Sequence, residues 1–333
     1  MGNCTCVQFS KNKTTSEIAP FDFVKSTAAT ITAVLRLSSS SSSVDNTIFT
    51  AYYLRFALMY KAASLQVVET QQQQQPTLEI GDEVVSGSRE TLLRFVEARI
   101  PQPPVVASRC EETTPLLVKV VTLQHRSVMW HLERMVRWAR DLATRGRKRN
   151  AHPAMGTLKM ELRKFGNSYS QLLDIMLEHA QMEERVIFPF LELAEKAGLC
   201  KAANEEHRRD LPIMNGIKEF VKSILVLDTA SPAYRDALPN LSTRLKSLRD
   251  NCKEHFEEEE RDVLPLIEAV ELSKEQTLRV LEQCFDMMQS AHSDLFSFLI
   301  EGLLPCEAFQ YLELTLKCKD EELVASMLRR ILD

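Results

Sequence analysis

Two segments of the chain repeat one pattern of metal-binding residue types. The first runs His179-Ala-Gln-Met-Glu183-Glu184-Arg185 and reaches Pro189 and Glu192. The second runs His255-Phe-Glu-Glu-Glu259-Glu260-Arg261 and reaches Pro265 and Glu268. Both fit His-x3-Glu-Glu-Arg-x3-Pro-x2-Glu, and a His-Arg pair precedes each copy: His125-Arg126 before the first, His207-Arg208 before the second. Residues i and i+4 of a helix share a face. His179 with Glu183, and His255 with Glu259, therefore each aim an imidazole nitrogen and a carboxylate at one point. Imidazole suits iron, zinc, copper and nickel, and a carboxylate can bridge two metals. Four inward-facing helices would supply four imidazoles and two carboxylates, enough for two nitrogens and two oxygens on each of two metals. A solvent oxygen would complete a five-coordinate site with room for a small ligand. A single His-x3-Glu is ordinarily a solvated pair; two copies with matched flanks and two further histidines argue for ligands.

The elements that must hold these residues can be placed by periodicity. Helices over about 115–145 and 157–196 form a first hairpin, and helices over about 201–226 and 232–270 a second. At about 1.5 Å rise per residue, His125 and His179 then reach the same height, as do His207 and His255. Ser231-Pro232 suits an N-cap followed by the first helical position. The connection between the hairpins fits less well, because Glu183 lies far from the end of its helix and His207 close to the start of the next. Pro189 is expected to kink or end the second helix, and Gly198 to stop it. Glu184 and Glu260 lie about 100° round the helix from the ligand glutamates. Each is expected to support a ligand from behind or to pair with Arg185 or Arg261.

These residues resemble the hemerythrin-like family, the HHE cation-binding domain, whose ligands run His, His-x3-Glu, His, His-x3-Glu. The corresponding positions are His125, His179, Glu183, His207, His255 and Glu259, and the resemblance spans roughly residues 112–300 with Pro189 and Pro265 included. It implies an all-α protein built on an up-down-up-down four-helix bundle, with additional helices at both ends. It also implies two irons per chain, joined by an oxo or hydroxo bridge, with the histidines as terminal ligands and the glutamates as bridges. One departure matters. Oxygen-carrying hemerythrins have a further histidine one turn from the third-helix histidine, where this chain has Ala203 and Leu211. The chain is more similar to HHE domains attached to iron-responsive ubiquitin ligases, although some of those carry a carboxylate where Ala180 stands.

The remainder divides into 1–111, a low-complexity N-terminal region, and 271–333, a helical extension beyond a bundle at 112–270. The N-terminal region contains a serine run at 38–43, a glutamine run at 71–75 and the Pro101–Pro104 spacer, and none of the seven histidines. Phe21–Leu37 and Asn46–Val68 are expected as helices there. Met1-Gly2-Asn3-Cys4 resembles an acylation start, with myristate at Gly2 and palmitate at Cys4 as the expected anchors of a peripheral membrane attachment. In the extension, Ser273-Lys-Glu-Gln276 is a capping box, and Cys284–Ile300 continues a helix. Pro305 and the charged stretch 317–322 divide the remaining residues into two short helices. His131 points away from His125, His152 sits in a loop, and His292 is expected to be structural or solvent-facing.

Composition limits the function classes. The net charge of −5 gives no general case for nucleic acid. The eight cysteines lack paired C-x-x-C spacing and are expected to be reduced. No apolar run spans a membrane and no secretory h-region opens the chain. The expected location is therefore intracellular: cytoplasm, membrane-associated through acyl groups, or nucleus. The basic run 145–149 reads first as a solvated interhelical loop, and second as a nuclear-import or anionic-lipid patch. Three functions remain: a non-enzymatic di-iron sensor or buffer responding to iron or oxygen, with a protein partner; a di-iron enzyme acting on peroxide, nitric oxide or damaged iron–sulfur clusters; and a membrane-tethered interaction module with a vestigial site.

Overall fold

The computed structural model describes residues 31–38, 44–61, 63–70, 75–106, 114–147, 157–192, 197–270, 272–319 and 321–332. Gly2, Cys4 and His152 lie outside them. The described residues are mostly helical, but the all-α expectation is corrected by a small sheet near the N-terminus.

That sheet comprises β1 (Ile31–Ser38), β2 (Ala63–Thr70), β3 (Thr77–Ile80) and β4 (Glu83–Ser86) in the order β2-β1-β3-β4. β1 runs parallel to β2, with Ile31 opposite Ala63 and Ser38 opposite Thr70, and antiparallel to β3. The helix α1 (Val44–Met59) makes the crossover between β1 and β2. Where helices were expected over 21–37 and 46–68, 31–38 and 63–70 are strands. Ile-Thr-Ala-Val-Leu-Arg-Leu alternates with period two, and Ala33, Leu35 and Leu37 turn inward. Gly81 takes φ +62 in the two-residue turn between β3 and β4, a backbone conformation that costs glycine least.

Leu54 and Leu58 of α1 and Leu92 and Val96 of α2 (Arg89–Arg99) cover the sheet. The other face of α1, with Phe49, Tyr53 and Phe56, joins the large helical core. An α1 apolar on both sides is what burial between two layers demands.

The helical unit opens with α3 (Leu116–Arg147) and α4 (Leu158–Met182). The second of these continues through a π-helical turn at Glu183–Ile187 into α5 (Phe188–Glu192). Then come α6 (Ala197–Val226) and α7 (Pro232–Glu258), which continues through a second π turn at Glu259–Val263 into α8 (Leu264–Ala269). α3 packs on α4 and α7, and α6 packs on the same two, so the four long helices close a ring. Ser231 caps α7 by accepting the Tyr234 N–H at 3.1 Å, with Pro232 in the first turn.

The two π turns explain the proline positions. Phe188 and Leu264, each just before a proline, give their N–H to the carbonyls of Glu183 and Glu259, five residues back. The prolines next in the chain have no N–H to give. Pro189 therefore neither ends nor breaks the path. Gly198 does not stop a helix either; it lies in the first turn of α6. With α6 starting at Ala197, Glu183 and His207 stand at matching distances from the connection, and the poor fit expected there disappears.

α9 (Lys274–Met287) begins at the expected capping box: Ser273 Oγ accepts the Gln276 N–H, and Gln276 Oε1 accepts the Ser273 N–H. The continuous helix expected over 284–300 is instead interrupted by a turn before α10 (Phe296–Glu301). α11 (Pro305–Leu316) and α12 (Glu321–Leu332) complete the extension as expected. α12 packs on α1, where Arg329 donates to Tyr52 Oη, and Glu321 of α12 pairs with Arg89 at the start of α2. No helix among the described residues is long and apolar enough to cross a membrane.

Candidate metal centre

The six residues singled out by spacing converge about a third of the way along α3 and α6 and at the ends of α4 and α7. α3 contributes His125, α4 and its π turn His179 and Glu183, α6 His207, and α7 and its π turn His255 and Glu259. They form two overlapping quartets. His125, His179, Glu183 and Glu259 bring one ligand atom each within 4.8 Å of one another, and so do Glu183, His207, His255 and Glu259. Both glutamates belong to both quartets. His125, His179, Glu183, His255 and Glu259 are buried, and the His207 side chain is 11% exposed.

Every Nε2 points inward. His125 Nε2 lies 3.6 Å from Glu183 and 3.4 Å from Glu259. His179 Nε2 is 3.3 Å from Glu183, His207 Nε2 3.5 Å from Glu183, and His255 Nε2 3.6 Å from Glu259. Nε2 of His125 and His179, Oε2 of Glu183 and both carboxylate oxygens of Glu259 are buried without a hydrogen bond. Orphaned buried polar atoms are costly, and five at one point fit a cation that would take them as ligands.

Every Nδ1 is held from behind. Glu260 meets Nδ1 of His125 at 3.0 Å, and Glu184 meets Nδ1 of His207 at 3.1 Å. The residues expected to be supporting do support, each across to a neighbouring helix. Gln124 Oε1 meets Nδ1 of His179 at 2.8 Å, and Glu206 meets Nδ1 of His255 at 2.6 Å. An acceptor on Nδ1 fixes the proton there and leaves the Nε2 lone pair for a metal. Sequence reasoning missed Gln124 and Glu206. The signal was present in the repeat itself: the second pair reads Glu-His-Arg where the first reads Gln-His-Arg.

The charges explain why the centre holds together. Burial opposes a proton on His125, but the carboxylates of Glu183, Glu259 and Glu260 around the ring outweigh it and raise its pKa well above the usual imidazole value. Burial, with His125, His207 and His255 close by, drives His179 well below that value. Burial and the neighbouring Glu259 raise Glu183. Burial also acts against the Glu259 carboxylate, yet His125 and His255 bring its pKa below the usual range.

A cavity of about 280 Å³ opens between α4, α6 and α7 onto His179, His207 and His255. His207, His255, Cys252, Met176, Met214 and Leu211 are among its walls. Leu211, in place of a further histidine, lines this opening; Ala203 is buried. Cys252 is an unbridged thiol that burial pushes up to about 12, which makes it inert as a nucleophile. His131 and His292 do not join the quartets. His131 donates to the Phe298 carbonyl at 2.7 Å, and His292 bonds the Met288 carbonyl and Tyr311.

Comparison with curated proteins and with solved structures returns no match. Comparison with family models returns one, the hemerythrin HHE cation-binding domain, over residues 116–267. That span begins at α3 and ends within α8, and it contains all six converging residues. Residues 116–267 thus carry a likeness to the hemerythrin HHE cation-binding domain.

Proposed function

We propose that this domain binds two iron ions and serves as a non-enzymatic sensor or buffer of iron or oxygen. In this reading His125 and His179 are terminal ligands of one iron and His207 and His255 of the other. Glu183 and Glu259 bridge them within an up-down-up-down bundle. The observation that carries it is the sharing of both glutamates by two quartets of ligand atoms, buried except at His207. Structural zinc sites are usually single and closed by four ligands, whereas a pair of shared carboxylates in a helical core matches di-metal carboxylate sites.

Bound iron would supply a Lewis acid whose affinity for a small ligand changes with oxidation state. The chain's own residues do the rest. Gln124, Glu206, Glu184 and Glu260 hold each ring in one tautomer, and the cavity lined by His179, His207 and His255 gives a small ligand a way in. Because the six residues sit on four different helices, occupancy ties those helices together, and binding free energy becomes folding free energy. A partner that recognises the tightened helices would then read the metal.

Elemental analysis of the iron-loaded full chain tests this reading. About two irons per chain are expected, with loss of iron and of the metal-dependent rise in Tm in Glu183→Ala and Glu259→Ala. A single zinc, or glutamate variants with unchanged metal content, would overturn it. The same cavity favours a second reading, a di-iron enzyme acting on peroxide or nitric oxide. Catalytic consumption of either by the iron-loaded protein would decide for that one.

A further inference from the structure

The C-terminal extension reaches the metal centre through a line of buried side chains. His292, in the turn between α9 and α10, places Nδ1 2.8 Å from the Met288 carbonyl and Nε2 2.9 Å from Tyr311 Oη on α11. Tyr311 Oη lies 3.2 Å from Gln124 Nε2, and Gln124 Oε1 lies 2.8 Å from His179 Nδ1. Gln124, His179, Tyr311 and His292 are all buried. Glu178, next to His179 on α4, accepts the Ser290 and Ala291 N–H groups at 2.9 Å and pins the turn that carries His292.

The protons on this line can be assigned from one end. A carbonyl only accepts, so His292 Nδ1 is the donor to Met288. Burial holds the ring neutral, with its pKa pushed down to about 4. Nε2 must then accept, and the only hydrogen Tyr311 has goes to it. Tyr311 Oη is left to accept from the Gln124 amide nitrogen, which turns the Gln124 carbonyl oxygen toward His179. That oxygen takes a proton from Nδ1 and leaves Nε2 bare. An amide is ambiguous by itself, because either end can face the imidazole. Here the ambiguity is removed by residues outside the family-matched span. The equivalent position in the other half, Glu206, is a carboxylate, which can only accept and needs no such support.

We propose that Tyr311 and His292 are positioning residues of the metal centre, which act through Gln124 to hold His179 in its metal-binding tautomer. The inference rests on the two-metal reading above. It makes residues 271–333 a working part of the site, and it makes the two metal positions unequal. The His125–His179 position depends on a neutral amide relay, and the His207–His255 position on a carboxylate.

The test is anaerobic titration of the full chain with ferrous iron against a chromogenic chelator. Wild type is compared with Tyr311→Phe, with Gln124→Glu and with the two combined. In Tyr311→Phe, one of the two binding steps weakens by about ten- to a hundredfold, as loss of an outer hydrogen bond does elsewhere, and the other is unchanged. Adding Gln124→Glu restores the lost step, because a carboxylate accepts from Nδ1 whatever faces its other side. A purely structural lesion at Tyr311 would not be cured by that second change. Two unchanged steps in Tyr311→Phe, or no restoration in the combined variant, would overturn the proposal. If Tyr311→Phe does not fold, His292→Phe removes the acceptor of the tyrosine hydroxyl and is held to the same expectation and the same rescue. Wild type that takes up no iron would overturn the metal reading itself, a result distinct from normal wild-type binding with an unaffected Tyr311→Phe.

Discussion

Glu260 crosses from the π turn after α7 to place a carboxylate oxygen 3.0 Å from Nδ1 of His125 on α3. Its neighbour Glu259 approaches Nε2 of the same ring at 3.4 Å. Consecutive residues thus grip both nitrogens of one imidazole. The π turn permits this, because its wider spacing changes the angle between successive side chains from the usual 100°. Glu184 makes the matching contact to His207 from the other π turn.

The first prediction concerns those outer carboxylates. Glu260→Gln and Glu184→Gln keep the shape of the side chain and remove its charge and its acceptor-only character. Each is expected to weaken one metal-binding step by about tenfold or more and to leave the far-UV circular dichroism unchanged. Isothermal titration with ferrous iron measures the affinity; full wild-type binding in both variants would show that these contacts do not support the ligands.

A second prediction concerns the close approach of the extension to the helical unit. A Cβ on Gly302 would lie 2.7 Å from Ser127 Oγ, 2.8 Å from its carbonyl oxygen and 2.9 Å from its Cα. Two of these are backbone atoms and cannot swing aside. Ser127 also donates to the Leu299 carbonyl at 2.6 Å and lies on α3 just past His125. Gly302→Ala is expected to destabilise the chain by about 1–3 kcal/mol in urea unfolding and to reduce metal affinity as α3 shifts. A variant as stable as wild type would mean that the two segments separate at little cost.

A third prediction tests the N-terminal unit. Lys61 is fully buried, and its ammonium donates to the carbonyls of Ile100 and Pro103 at 2.5 and 2.8 Å and pairs with Glu97 at 3.1 Å. Lys61→Met would leave the two carbonyls without the ammonium and Glu97 with only the Val105 N–H. The expected loss is about 3–5 kcal/mol, read by denaturant unfolding of the full chain, and a loss under about 1 kcal/mol would show that water replaces the ammonium.

The clustering of the six candidate residues was legible because they are written at helical spacing. His179 and Glu183 are one turn apart, the second copy repeats them, and helix lengths brought His125 and His207 to the same level. Helix starts at Ser231-Pro232 and Ser273 could be read from capping chemistry that acts over a few residues. The sheet was not legible. Ile31–Ser38 is short, its alternation covers only a few residues, and its partner β3 lies beyond α1 and β2 in sequence. The helix α1 was expected, but its end was not, since a helix apolar all round gives no period to read and β2 follows within four residues. Gln124 and Tyr311 were invisible for a different reason: they meet across 187 residues of chain, and only the packing of α11 on α3 brings them together.

The last prediction is a pH dependence with a defined sign. His131 donates Nε2–H to the Phe298 carbonyl at 2.7 Å, stacks on the Phe298 ring, and is buried beside Arg134. Burial, with Arg134 adding to it, lowers its pKa from 6.5 to about 3. Between those values the unfolded chain binds a proton at this residue and the folded chain does not. Stability therefore falls as pH drops through this window, by about 1.4 kcal/mol per pH unit for one such group. His292, lowered to about 4, adds to the fall over a narrower range. His131→Gln keeps an N–H near the Phe298 carbonyl but cannot titrate. Metal-free wild type and variant, unfolded in urea at a series of pH values, should differ in slope from pH 6.5 down to about 4, with the variant shallower. Parallel curves would mean that His131 is protonated in the folded chain as readily as in the unfolded one. That is incompatible with a ring sealed between Trp130 and Phe298.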